Sequence, residues 1–476
     1  MTQNIYDGIN SRKPAQRTLL ATIDISKAFD AVPKYTLIDK IYNTNMHNNT
    51  KRWLANYLSG RQAYVNYNGK SSRTHNITNG VPQGSVLSPT LFNLYMHDMP
   101  NTPANNHISS YADDITITSS HNDIDTAERS LQNYLTFFET WLDENRLKVA
   151  PTKSTLTLMT NWTKEHSITP RATLNNTPIP HTHTTKILGV TYNTSMSFTP
   201  HITNIKTKCT PRLNALRTLT GTTFGQHKET TSLVYKQYIR AVMDHASPSW
   251  APDLSDTNHK TLQTTQNNAL RIITGCTQTT PTDHLHHETK ILKVKDHLDM
   301  RGTQFLAAAI QNPEHPCHYM HNHPQTPRTL KQTPERYYNN ILATIPNPNA
   351  NNHIKQQIHT HITRTVRHSG RQFCPKGGAS AIAQSEEELS RTDRVHLSRL
   401  RSGHHPSLLT YKHRLDDAVD DTCPLCQTAP HTINHIMEDC ADLAHLRRQH
   451  NIHSVENLWT VPGQSVDFLR AAGLLL

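Results

Sequence analysis

Residues Thr18–Ile25 read TLLATIDI, an apolar and β-branched run that closes on a carboxylate. Such a run, too short for an ordinary helix and apolar or β-branched at every position except Asp24, reads as a buried strand. Asp24 then stands at the end of that strand. The neighbouring segments supply what a buried strand has to be packed with. Leu37–Leu58 has helical spacing, with Ile38, Ile41, Trp53, Leu54 and Leu58 as apolar points. Tyr64–Tyr67 reads as a strand closed by a turn at Asn68-Gly69. Ile108–Ile117 alternates loosely and breaks at Asp113-Asp114, which predicts a hairpin. Asp125 and Glu128 have capping-box spacing. The helix they open runs to about Asn145, with Leu131, Leu135, Phe138 and Leu142 on one face. The fold class expected is α+β, a small antiparallel sheet layered with helices.

After about Thr199 strand signals fade and three helical patterns follow. Leu213, Leu216 and Leu219 mark the first. Val234, Tyr238, Val242 and His245 mark the second, and Leu262, Leu270 and Ile273 the third, ahead of Gly275. Residues 312–375 are rich in Pro, Asn, His and Thr, including Pro346–Asn349 (PNPN), and read as a linker or poorly ordered region. A cysteine-bearing module closes the chain. The hydrophobic fraction of 35% is low, so one or two cores are expected beside loosely packed stretches. No apolar run reaches 18 residues. Seven cysteines in 476 residues make no disulfide framework, and a reducing, intracellular compartment is expected. Net charge is +11, with a pI near 9.2. That surplus favours a polyanionic partner, nucleic acid first.

Three carboxylates stand out: Asp24 at a strand end, and Asp113 and Asp114 in the hairpin turn. Nucleotidyl transfer by two metals needs carboxylates that bridge two divalent ions, one activating a 3′-hydroxyl and the other neutralising pyrophosphate. Strand ends and hairpin tips are rigid supports for such a set. Taken alone, an Asp-Asp pair is ordinary turn chemistry.

The surrounding motifs resemble those of reverse transcriptases. Asp24–Asp30 (DISKAFD) is similar to the first palm motif, Gly80–Pro89 (GVPQGSVLSP) to the second, and Tyr111–Asp114 (YADD) to the third. Leu147–Lys153 (LKVAPTK) is similar to the fourth, and Ile187–Val190 (ILGV) to the primer-grip region. Order and spacing agree with that family over about Tyr6–Thr199. The resemblance implies a right-hand polymerase palm in which Asp24, Asp113 and Asp114 hold two Mg²⁺ ions. It implies that Phe29 lies under the sugar and excludes a 2′-hydroxyl. Gly80, Pro82 and Gly84 shape a sharp loop, and Gln83 meets the incoming nucleotide or the template. Tyr111 belongs to the same substrate surface. Lys153 is the candidate general acid toward pyrophosphate. Asp30 caps or solvates the following turn and is no metal ligand.

Near the C-terminus, Cys423 and Cys426 are two residues apart, followed by His435 and Cys440. A CxxC turn plus a histidine and a cysteine makes a tetrahedral zinc set, with His431 as a substitute ligand. This array after a helical region resembles the end of non-LTR, LINE-type and Jockey-like retrotransposon reverse transcriptases. The arginines and lysine between Arg394 and Arg414, with Tyr411 among them, read as a phosphate-binding stretch or a solvated helix face. The domain plan is therefore 1–199 palm, 200–311 helical thumb, 312–390 linker, and 391–476 basic segment with zinc module. The implied activity is RNA-directed DNA synthesis with RNA template, DNA primer and deoxynucleoside triphosphates, in the nucleus and cytoplasm. Asp24 lies only 23 residues from Met1, where the family has a fingers subdomain, so an N-terminally truncated enzyme is expected. A nucleic-acid-binding remnant without activity, or a group II intron maturase, are the alternatives.

Overall fold

The structure is a computed structural model; it describes all residues except 104, 323–329, 347–352, 366, 369–370, 373–383 and 476. The chain divides into two compact units. One comprises 1–201 with 324–333, the other 202–323 with 334–476.

The first unit is built on the strand Arg17–Asp24, whose residues are buried almost without interruption. A strand with no solvent face needs hydrogen-bonding partners on both edges. Asp114–His121 supplies one edge and Thr155–Met159 the other, both antiparallel. Asn106–Tyr111 completes a four-stranded sheet in which 114–121 and 17–24 are the inner strands. The helix Ile124–Glu144 packs its Leu131, Leu135, Phe138 and Leu142 face into the core formed with Leu19, Ala21, Ile115, Ile117, Leu156 and Leu158. Its cap is two residues earlier than the capping-box spacing implies: Asp123, not Asp125, accepts the Thr126 amide at 2.7 Å. Asp123 alone has the extended backbone that an N-cap requires.

The helical pattern over Leu37–Leu58 is two helices, Lys34–Tyr42 and Asn48–Leu58. The polar stretch between them ends at His47, whose side chain accepts the Asn49 amide and opens the second helix. The segment beyond it forms a two-tier hairpin. Gln62–Ala63 pairs with His75–Asn76, and Asn66–Tyr67 with Lys70–Ser71. Asn68 and Gly69 both take positive φ at its tip, the geometry of a tight two-residue turn.

The second unit is helical, and Asp256–Thr274 and Val294–Gln311 are two of its long helices. The linker reading of 312–390 is corrected for two stretches. Pro334–Leu342 and Ile354–Thr365 are helices packed on Val294–Gln311. Ile354, Ile358 and Ile362 recur every four residues and bury against Met300 and Ala307. Tyr338 meets Leu306, and a Cβ on Gly302 would lie 2.0 Å from the Tyr338 ring, so only glycine fits there. Residues 347–349 of the PNPN motif lie outside the described residues. A further core gathers Leu397, Leu400, Leu408, Tyr411, Met437, Phe468 and Leu469 around Cys423 and Cys440.

Candidate active site and candidate metal centre

The antiparallel register sets Asp24 directly opposite Asp114. The same register pairs Tyr111 with Asp114 across the hairpin, leaving Ala112 and Asp113 as the turn. Ala112 adopts φ 53°, which makes the reversal possible in two residues. Asp24 is half-buried, whereas Asp113, Asp114 and Tyr111 are exposed at the sheet end. Asp114 holds its proton more tightly than an ordinary carboxylate. Burial is the main cause, followed by the negative charges of Asp113 and Asp24. Like charges crowded at one strand end are the electrostatic signature of a cation site, because a divalent ion would relieve the repulsion.

Two loops are bound to the residues that follow Asp24. The Gly80 amide donates to Val32 O at 2.7 Å and the Val81 amide to Phe29 O at 2.9 Å. Gly80 has φ 86°, and a Cβ there would fall 2.9 Å from the Asp30 Cα, so glycine is required twice over. Gln83 Nε2 donates to Asp30 Oδ1 at 3.0 Å. Asp30 therefore holds the Gln83 side chain rather than simply capping or solvating its own turn. Phe29 stacks on Phe92 with ring centroids 4.6 Å apart. Gly84 also takes positive φ, with open space around it.

The second loop is 147–154. Ser26 N donates to Lys148 O, Ala150 N to Asp24 O at 2.8 Å, and Ile25 bridges Val149. Lys153 is exposed on this turn. Ser154 is buried and its Oγ accepts the Asp24 amide at 3.2 Å while donating to Ala150 O at 3.1 Å. Sequence reasoning passed over Ser154; a serine directly following Lys153 and preceding an apolar strand was the available signal. Ile187–Val190 forms a tight hairpin, with Leu188 and Gly189 at positive φ.

In the second unit, one ligand atom each from Cys423, Cys426, His435 and Cys440 lies within 4.8 Å of the others. Among the described residues this is the one group of three or more such side chains drawn together closely enough to share an ion. Asp24, Asp113 and Asp114 are neighbours at one sheet end without that degree of convergence. Cys426 Sγ is 3.2 Å from His435 Nε2. Hydrogen bonds from Thr428 are the main reason its thiol is pulled down to about 6. Three sulfurs and one imidazole suit a tetrahedral zinc ion. His431 is not part of the group, and its Nδ1 accepts the Leu409 amide.

The basic stretch preceding this cluster is corrected. Arg391 and Arg394 are buried. Arg391 donates to Ile272 O, Ile273 O and Gly221 O, and Arg399 to Gly275 O. Arg401 is wholly buried between Glu288 and Glu386, which Lys228 also joins at 2.9 Å to each. Tyr411 belongs to the core. Arg394, Arg399 and Arg401 are thus engaged with the interior, whereas Lys412 and Arg414 at the end of the stretch are exposed.

Residues 2–192 match the family described as reverse transcriptase (RNA-dependent DNA polymerase). The chain is 27% identical over 287 residues to a Drosophila melanogaster protein named "Probable RNA-directed DNA polymerase from transposon X-element", covering 60% of this chain and 31% of that one. It is 29% identical over 305 residues to the corresponding protein of transposon BS, also from Drosophila melanogaster, covering 60% and 32%. Against the RNA-directed DNA polymerase from mobile element jockey of Drosophila funebris it is 27% identical over 281 residues, covering 58% and 30%. The matched part of the chain spans about a third of the length of these relatives.

Proposed function

We propose, from the match of residues 2–192 to the reverse transcriptase family, that this chain is the polymerase part of a non-LTR retrotransposon protein. It extends a DNA primer with deoxynucleotides on an RNA template. The observation that carries this reading is the register that sets Asp24 opposite Asp114 beside the Asp113 turn. Asp24, Asp113 and Asp114 are the residues that would hold two Mg²⁺ ions. Magnesium bound there supplies Lewis-acid activation of the 3′-hydroxyl and charge neutralisation at the leaving pyrophosphate.

The chain's own residues do the positioning. Gln83, tied to Asp30, contacts the incoming nucleotide or the template. Phe29, braced by Phe92, lies under the sugar and leaves no room for a 2′-hydroxyl. Gly84 lets the loop backbone approach the substrate, and Tyr111 offers an exposed ring at the hairpin. Lys153, on the turn tied to Asp24, donates a proton toward pyrophosphate. The 17–24 sheet and its helices serve as the palm, and the helices of 202–311 as the thumb. Cys423, Cys426, His435 and Cys440 hold one zinc ion in a C-terminal module. The protein works inside the cell, in nucleus and cytoplasm.

The test is primer extension on an RNA template with Mg²⁺, using the full chain, beside Asp113→Ala. Extension that requires Asp113 is the expected result. Extension that survives the substitution, or its absence from a parent chain that binds the primer–template, overturns the reading.

A further inference from the structure

From Lys40 to His97 the sequence contains no aspartate and no glutamate, while Lys51, Arg52, Arg61, Lys70 and Arg73 fall inside this stretch. The structure turns it into the helix 48–58 and the two-tier hairpin 62–76. Large rings stand out into solvent there: Trp53 is 56% exposed, Tyr64 60% and Tyr67 75%. Rings left in water forgo the stabilisation that burial gives, and a cluster of them marks an interaction surface. None of them belongs to the core of this unit.

The helix end of this surface is linked ring to ring and ring to cation. Trp53 stacks on Tyr57 at 5.8 Å, one helical turn on, and the Arg61 guanidinium lies 4.9 Å over the Tyr57 ring. Tyr57 is hydrogen-bonded to Ser85 at 2.6 Å, within the loop that carries Gln83. At the other end, Tyr67 and Lys70 are directly paired across the hairpin tip. The hairpin base is held in place: Ile77 N donates to Arg61 O, Lys34 donates to Ile77 O, and Pro33 bridges Asn79. An acid-free, cation-studded surface attracts phosphates without internal competition. Exposed rings stack on base faces, which a single strand offers and a duplex keeps occupied.

We propose that helix 48–58 and hairpin 62–76 form a track for single-stranded RNA, guiding the unpaired template strand to the loop 80–89. The inference rests on the polymerase reading for the strand's identity and deepens it by placing the strand on named residues. Rings give sequence-tolerant grip, and Lys70 and Arg73 add phosphate contacts.

The experiment titrates the full chain with a fluorescent single-stranded oligouridine, without Mg²⁺ or nucleotides, at several salt concentrations. A blunt RNA duplex serves as the second ligand. The triple variant Trp53→Ala, Tyr64→Ala, Tyr67→Ala is expected to bind the single strand at least about tenfold more weakly. The triple phenylalanine variant at the same positions keeps the ring faces and is expected to bind as the parent does. Lys70→Ala with Arg73→Ala is expected to lower the slope of log affinity against log salt by about 1.4. This pair lies on an exposed hairpin, so it reports even where the alanine triple disturbs folding. Unchanged single-strand affinity and salt slope overturn the proposal, as does an equal loss for duplex and single strand. Hairpin-dependent RNA binding without Asp113-dependent extension would leave the single-strand track standing and sink the polymerase reading together with the strand's identity as template. Extension with hairpin-independent binding would do the reverse.

Discussion

Asp24 and Asp114 are directly paired residues on adjacent antiparallel strands, brought opposite each other from 90 positions apart. That pairing follows from one register, in which Arg17 lies opposite His121 and every intervening residue is matched. A one-residue slip would turn Asp114 to the other face of the sheet. The acidic cluster is thus as rigid as the sheet that carries it. Asp114→Asn or Asp113→Ala should cost extension on the order of a hundredfold to a thousandfold with primer–template affinity retained. Parallel extension and binding assays check it, and a matched loss of both would point to misfolding instead.

Ser154 secures the strand end that carries Asp24, through the Asp24 amide and Ala150 carbonyl. Ser154→Ala leaves a buried amide with one partner fewer, at a cost of about 1–3 kcal/mol. The variant is expected to melt earlier and to extend more slowly, with the KM for nucleotide little changed. Ser154→Thr retains the hydroxyl and should restore much of the rate.

Glu288 sits at the centre of a buried quartet, its Oε1 accepting from Lys228, Arg401 and Ser398 at 2.9 Å each. Two cations and two carboxylates compensate one another there, so each carboxylate remains ionised despite burial. Glu288→Ala strands Lys228 and Arg401 with a single counter-ion, an effect of about 3–5 kcal/mol. Chemical denaturation should show a large drop in midpoint, far beyond that of Glu229→Ala.

For the cysteine–histidine cluster, the purified full chain should carry one equivalent of zinc. Cys423→Ser should lower that below half an equivalent, and chelation should destabilise the core that includes Cys423 and Cys440. Elemental analysis and a chelator-dependent melt decide it. Zinc content indifferent to Cys423 would remove the site.

His405 is buried against His396, their ring nitrogens 2.6 Å apart. Burial above all, then the neighbouring His396 and Arg399, push its pKa down to about 3. Folding therefore favours the neutral ring. The stability it contributes is complete above the unfolded value near 6.5 and is lost progressively as pH falls from there toward 3. Thermal melts from pH 7.5 to 4.5 should show declining stability, and His405→Gln should flatten part of that slope. An unaltered slope in the variant would assign the effect to other groups.

Much of this architecture is local chemistry and so can be read along the chain. A short apolar and β-branched run read as a buried strand, an Asp-Asp break between alternating residues read as a turn, and Asn68-Gly69 as a chain reversal. Cys423 and Cys426 needed only their spacing to suggest a ligand pair. What depended on distant partners stayed hidden. Arg401 looks like any surface arginine until Glu288 and Glu386 arrive to neutralise it. Residues 334–365 resemble a linker by composition, yet three isoleucines at four-residue spacing suffice once Met300 and Ala307 face them. Asp123 displaced Asp125 as a helix cap because backbone conformation, set by the end of the preceding strand, chooses the cap. Ser154 gained its role only when the sheet brought it to the Asp24 amide. Local periodicity and turn chemistry act within a few residues, whereas the burial of a charge or the partner of a hydroxyl is settled by chain segments that meet only on folding.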